Sequence, residues 1–189
     1  MGRQQRWGRA MLLALGFVTV TASHGAAQTP ETSARDGLPF RIRTTDPELA
    51  AVLQDSVPRS RTLRRLVDAV EGSDGLVYLW KGACPHNARA CLLMHLEQAG
   101  PNRLLHIHIP PGKRDVDAAG SIAHELQHVV EVLSDHRVKT TDDLFALYYR
   151  IGLDGPSSWL QNRTHGRFET AAAQEIGLQV RNELTRRSR

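Results

Sequence analysis

Ser121-Ile-Ala-His-Glu-Leu-Gln-His-Val-Val-Glu-Val-Leu133 is the stretch around which the chain organises itself. It holds His124-Glu125-Leu126-Gln127-His128, the pattern H-E-x-x-H. On a helix the two histidines lie one above the other, and both imidazoles can grip one metal ion. The glutamate points about 100° aside, within reach of a metal-bound water but not easily of the metal. With His124 at 0°, His128 falls at about 40°. Ile122, Leu126, Val129, Val130 and Leu133 fall between roughly 140° and 240°. One face is therefore apolar and belongs in a core, while the opposite face carries both histidines. Neutral nitrogen ligands, a vacant coordination position for water and a carboxylate to take a proton are what a catalytic Zn²⁺ needs.

The N-terminus reads as an export signal. Arg3, Arg6 and Arg9 precede the apolar run Ala10–Val20, and small residues end at Gly25-Ala-Ala27. The expectation is a signal peptide over 1–27, a disordered leader over 28–37 and one domain over 38–189, exported to the periplasm or the medium. The apolar run is too short for a membrane span, so no stable membrane anchor is expected. The formal charge of +4 includes the three signal arginines and falls to about +1 without them. With no basic-aromatic patch either, nucleic acid is not an expected partner. The remaining stretch of about 160 residues is enough for one core. Cys84 and Cys91 are the only cysteines. In an exported chain they read as one disulfide; a metal site with His86 and His95 would lack paired C-x-x-C spacing.

The other elements read as an α+β protein with a small, mostly antiparallel sheet packed on helices. Leu38–Arg43 alternates as a short strand. Asp46-Pro47 starts a helix that Pro58 breaks, and Ser60 caps a second, with Leu63, Leu66, Val67 and Val70 on its core face. Leu76–Trp80, Leu92–Leu96 and Leu104–Ile109 read as strands, the last two as an antiparallel hairpin. His106 and His108 share one face of the third, read as the polar side of a half-covered sheet rather than as ligands. After the motif helix, a helix from Thr140 or Thr141 carries Leu144, Leu147, Tyr148 and Ile151 on its core stripe. A last helix runs from about Arg167 to Leu184.

A catalytic zinc usually has three protein ligands. Glu131 lies at about −20° on the motif wheel, but roughly 7 Å along the axis from a metal held midway between the histidines. That suits a neighbour of the ligands better than a ligand, though it stays an alternative. Glu169 is preferred. Placed at 0° on the last helix, it has Ala172, Ala173, Ile176, Val180 and Leu184 within about 60°. A charge in an apolar stripe needs a partner, which a metal on the facing motif helix would supply; the competing partners are Arg150 and Arg163.

On His124, Glu125, His128 and Glu169 the chain resembles the zincin metallopeptidases, and within them the gluzincins, as a small exported bacterial-type domain. The resemblance covers roughly residues 100 to 175. It implies a motif helix and a C-terminal helix facing each other across a metal site, and peptide-bond hydrolysis of a peptide or protein substrate. In that chemistry Zn²⁺ polarises the carbonyl, and Glu125 takes a proton from water and passes it to the leaving amine. It casts Leu104–Ile109 as the strand edge that meets the substrate. Around Glu169 the chain lacks an Asn before the glutamate and an Asp four residues after it, where some gluzincins carry them. A donor for the anionic intermediate would come from His165, Tyr148 or Tyr149. The alternative is a non-catalytic exported domain that a metal knits together. No P-loop, GxGxxG or Gly-x-Ser-x-Gly pattern offers a rival chemistry.

Overall fold

The computed structural model describes residues 40–112, 115–153 and 168–186, apart from the side chain of His86. The expected signal peptide and leader, Arg163 and His165 lie outside those residues. In chain order the elements are β1 (Ile42–Arg43), α1 (Pro47–Arg59), α2 (Arg61–Glu71), β2 (Gly75–Lys81), a short 3₁₀ turn (Pro85–Asn87), β3 (Cys91–Leu92), β4 (Glu97–Ala99), β5 (Asn102–Ile109), α3 (Asp115–Ser134), α4 (Thr141–Ile151) and α5 (Ala171–Arg186).

The α+β class expected from the sequence is the one the chain forms. β3 and β4 run antiparallel to β5, as the hairpin reading expects, whereas β1 and β2 run parallel to the strands they pair with. The sheet is thus mixed, in the order β1-β2-β5-β3 with β4 also against β5. The expected strand Leu92–Leu96 is split. Leu93 still donates to the His106 carbonyl at 2.8 Å, but the Leu96 N–H turns to Thr141 Oγ1. β5 is paired on both sides, so it is not the free edge that the resemblance assigned to it; β3 and β4 lie outside it on the side away from β2. Alternation along β5 buries Leu105, Ile107 and Ile109 and leaves Leu104, His106 and His108 half-buried.

Local chemistry sets the helix ends. Asp46 Oδ1 accepts from the amides of Glu48 and Leu49, with Pro47 at the first helical position. Pro58 does not break α1, which runs one residue beyond it to Arg59. So near the end of a helix, a proline removes one internal hydrogen bond and little else. Ser60 Oγ accepts from Leu63 N–H to start α2. Thr140 and Asp143 form a reciprocal capping box on α4. Ile151, expected on the α4 core stripe, is exposed at the last residue of that helix. α5 starts at Ala171 rather than near Arg167, because the Thr170 hydroxyl accepts from Ala173 N–H and caps it.

The helix α3 is the centre of the packing. Ile122, Leu126, Val129 and Leu133 are buried in the same apolar cluster as Val77, Leu79, Leu105 and Ile107 of the sheet. Its other flank meets α5, where Ala173, Val180 and Leu184 are buried. Glu183 of α5 accepts from Ser60 Oγ, Thr62 Oγ1 and Thr62 N–H, which places a carboxylate at the positive N-terminus of α2.

The C-terminal end of α3 is held by a buried arginine. Arg103 of β5 is 2% exposed. Its Nη1 donates to the carbonyls of Val132, Asp135 and Val138, its Nη2 to that of Leu133, and Nε and Nη2 grip the Asp74 carboxylate. Carbonyls at a helix C-terminus lack intrahelical partners, and a cation there also meets the negative end of the dipole. Arg103→Met is expected to lower the unfolding free energy by about 3–5 kcal/mol, measured by denaturant titration, because it strands both the carbonyls and Asp74.

Burial opposes ionisation of Asp74, but the hydrogen bonds and charge of Arg103 outweigh it and hold the carboxyl below its ordinary value of 3.8. A depressed carboxylate stabilises the fold fully above its unfolded value and loses that contribution as pH falls through its folded one. Unfolding of wild type followed against pH should therefore show a loss of stability below pH 3.8 that is smaller in Asp74→Asn.

Candidate metal centre

Three side chains converge where α3 faces the start of α5. His124 Nε2 lies 3.3 Å from Glu169 Oε1, and His128 Nε2 lies 3.7 Å from the same oxygen. One ligand atom from each of His124, His128 and Glu169 falls within 4.8 Å of the other two. The i, i+4 spacing stacks the imidazoles along α3, with ring centroids 5.0 Å apart. Glu169 reaches them from just before α5, not from within its stripe; its Oε1 accepts from Thr170 N–H. Glu169 is thus a member of this cluster, but its backbone precedes the helix in which it was expected to lie. Arg150, a competing partner for Glu169, bonds Asp135 instead.

The donor set suits a borderline ion such as Zn²⁺: two imidazole nitrogens and one carboxylate oxygen. His128 is 5% exposed on its side chain, while His124 is 22% and Glu169 29% exposed, so the cluster is closed behind and open in front. That asymmetry leaves an approach for water or substrate.

The ring orientations are fixed from behind. Glu131 Oε2 is 3.0 Å from His128 Nδ1. A proton on Nδ1 directed at that carboxylate leaves the Nε2 lone pair facing the cluster. Glu131 is itself held by Thr170 Oγ1 at 2.8 Å and by Gln127. The structure therefore sets Glu131 against the far nitrogen of His128, outside the three-residue cluster. His124 hydrogen-bonds the backbone of Ala173.

Electrostatics divides the two histidines. Burial, with the charges of His128 and Arg181, lowers the pKa of His124 to about 4, so it is neutral and ligand-competent at neutral pH. Burial would lower His128 too, but its hydrogen bond to Glu131 and the charges of Glu125, Glu131 and Glu169 raise it. Burial raises Glu169.

Glu125 stands beside the cluster rather than in it. Its Oε1 is 4.0 Å from His124 Nε2. Its Oε2 accepts from Leu92 N–H of β3 at 2.7 Å. Leu93 N–H points inward to β5, so by strand alternation Leu92 N–H points outward, onto the carboxylate. Disulfide-bonded Cys84 and Cys91, with Cα atoms 5.9 Å apart, close the loop leading into that strand.

Tyr148 is not presented to the front of the cluster. Its hydroxyl donates to the His128 carbonyl at 3.0 Å, its ring meets the His128 ring edge-on, and burial pushes its pKa well above 10. It positions His128. Tyr149 is exposed on the same helix.

That α3 and α5 face each other was expected, but the glycines that let them approach so closely were not read from the sequence. A Cβ on Gly177 would come 3.0 Å from the Gly120 carbonyl and 3.2 Å from His124 Cβ. Thr170 was not read either, although a threonine directly before Ala171-Ala-Ala173 is a helix-start signal.

No family model, curated protein or solved structure matches this chain.

Gly177→Val should force the two helices apart beside His124. It is expected to destabilise the fold by about 1–3 kcal/mol in thermal or denaturant unfolding, since the added methyls meet backbone that cannot yield easily.

Proposed function

We propose that this chain is an exported zinc-dependent hydrolase of the zincin type, gluzincin-like in its ligand set, that cleaves peptide bonds. The observation that carries this reading is the meeting of His124, His128 and Glu169 within 4.8 Å, with Glu125 next to them but outside the set. That separation of roles, three donors and one adjacent carboxylate, is what metal-assisted hydrolysis asks of a protein. Export to the periplasm or the medium rests on the N-terminal residues 1–27. Among the described residues no helix is long and apolar enough to cross a membrane.

Bound zinc would supply Lewis acidity toward a carbonyl and toward water. The chain's own residues do the rest. His124, His128 and Glu169 hold the ion. Glu131 and Tyr148 keep His128 in the orientation that directs Nε2 forward. Glu125, aimed by Leu92 N–H, receives the proton of the attacking water and delivers it to the leaving amine. The side of the cluster on which His124 and Glu169 are partly exposed would admit the peptide.

Metal content and peptide hydrolysis of wild type and three variants test this reading. Wild type should carry one zinc per chain and hydrolyse a peptide pool in a chelator-sensitive way. Glu125→Gln should keep the metal and lose at least about a hundredfold in rate. Glu169→Ala should lose the metal, and Glu131→Gln should weaken its binding about 10- to 100-fold. Zinc without hydrolysis, together with a large fall in melting temperature on chelation, would instead favour a metal-stabilised binding domain. A wild type that takes up no zinc would overturn the assignment altogether.

A further inference from the structure

The contact between α3 and α5 continues past His124 to a second group of charges. Arg181 lies one helical turn beyond Gly177, and its side chain lies flat over Gly120, four residues before His124. A Cβ on Gly120 would sit 2.5 Å from Arg181 Cγ, 2.7 Å from Nε and 2.9 Å from Cζ. Only the missing side chains at Gly120 and Gly177 leave room for the guanidinium there.

Its partners are incomplete. Nη2 donates to Ser121 Oγ at a long 3.4 Å. Nε is 3.9 Å from Asp117 Oδ1, beyond hydrogen-bonding reach, and although buried it has no hydrogen-bond partner among the described residues. A guanidinium carries five donors and holds a planar carboxylate best with two of them in parallel; with Nε sealed and the side chain 25% exposed, the donors left to a ligand are those on Nη1 and Nη2. The nearby charge adds to the deficit. Burial and the like charge of Arg89 both disfavour the Arg181 cation, with Asp117 opposing them. Arg89 is exposed on the disulfide-closed loop, three residues before Leu92, whose N–H meets Glu125. Arg181 therefore stands beside His124, and the charge of Arg89, on the loop that feeds the sheet edge, reaches Arg181.

We propose that Arg181, assisted by Arg89, receives a carboxylate of the substrate beside the metal cluster. This rests on the hydrolase reading above and names its substrate class: peptides with a negative charge a short distance from the bond to be cleaved. The carboxylate comes either from the peptide's C-terminus or from an Asp or Glu side chain. Arg181 acts by binding and orientation and takes no part in proton transfer.

The test is equilibrium binding to the full chain carrying Glu125→Gln and loaded with zinc, so that peptides are not consumed. The probes are N-acetyl tripeptides in two pairs: a free C-terminal carboxyl against the amide, and Glu against Gln within an amidated peptide. At least one charged member should bind about tenfold more tightly than its neutral twin, as expected for a charge-assisted contact. The pair that shows the preference identifies the source of the carboxylate. Adding Arg181→Ala should abolish the preference without changing the affinity for the neutral twins or the zinc content, Arg181→Lys should retain part of it, and Arg89→Ala should reduce it about threefold, as suits an exposed charge.

Equal binding of charged and neutral twins, or a preference that survives Arg181→Ala, would overturn the proposal. If wild type meanwhile hydrolyses peptides, the hydrolase reading stands and only the carboxylate site falls. A chain that binds none of these peptides and does not hydrolyse the peptide pool sinks both. Carboxylate preference without turnover in wild type keeps the site and removes the enzyme.

Discussion

The guanidinium of Arg103 fixes where everything else can go. The motif helix ends with carbonyls that its own backbone cannot satisfy, and β5 carries a cation into that end. A buried charge survives only if it is paired and fully bonded, and Asp74 and four carbonyls meet that demand. The bonds tie one end of α3 to the start of β5. With that end pinned, the apolar stripe of α3 lies on the sheet and its histidine face turns to α5. Gly177 then lets α5 close to backbone contact.

The cluster follows from this packing with little freedom left. His124 and His128 are on a helix held at its end by Arg103 and along its side by the core. Glu169 is delivered by Thr170, which caps α5 with the same hydroxyl that bonds Glu131. One threonine thus sets both the start of the second helix and the carboxylate behind His128. The charges are complementary: three glutamates surround two imidazoles, one kept neutral by burial and one supported from its far nitrogen. Such an arrangement favours a cation in the open front.

Much of this was written in local sequence. The two-sidedness of α3, the caps at Asp46, Ser60 and Thr140, and the stripe of α2 are short-range features, and periodicity reads them directly. Pairing was less legible. Alternation in Leu104–Ile109 gives the buried face of β5 but not its neighbours, so β2 lying parallel to it, and β5 lying inside the sheet, could not be read from either strand alone. Arg103 was invisible for the same reason, since an arginine is ordinarily exposed and its carbonyl partners lie 29 to 35 residues away. Glu131 shows the limit of a helical wheel. Its azimuth put it on the histidine face, while the three-residue spacing from His128 brought it to Nδ1, behind the ring. Glu169 was reached through a stripe that it does not occupy, because the wheel could not see that Thr170 begins the helix.

The bond between Leu92 N–H and Glu125 has one more consequence, for self-association. Among the described residues the sheet's outer strands, β1, β3 and β4, are two or three residues long, and short outer strands are poor templates for adding a foreign strand. At β3 the outward amide is also occupied by a carboxylate. Another copy of the chain that tried to extend the sheet there would have to break a charge-assisted hydrogen bond and bury its own backbone against a negative charge. The contact that aims Glu125 at the histidines thereby also guards the sheet against growing into an aggregate.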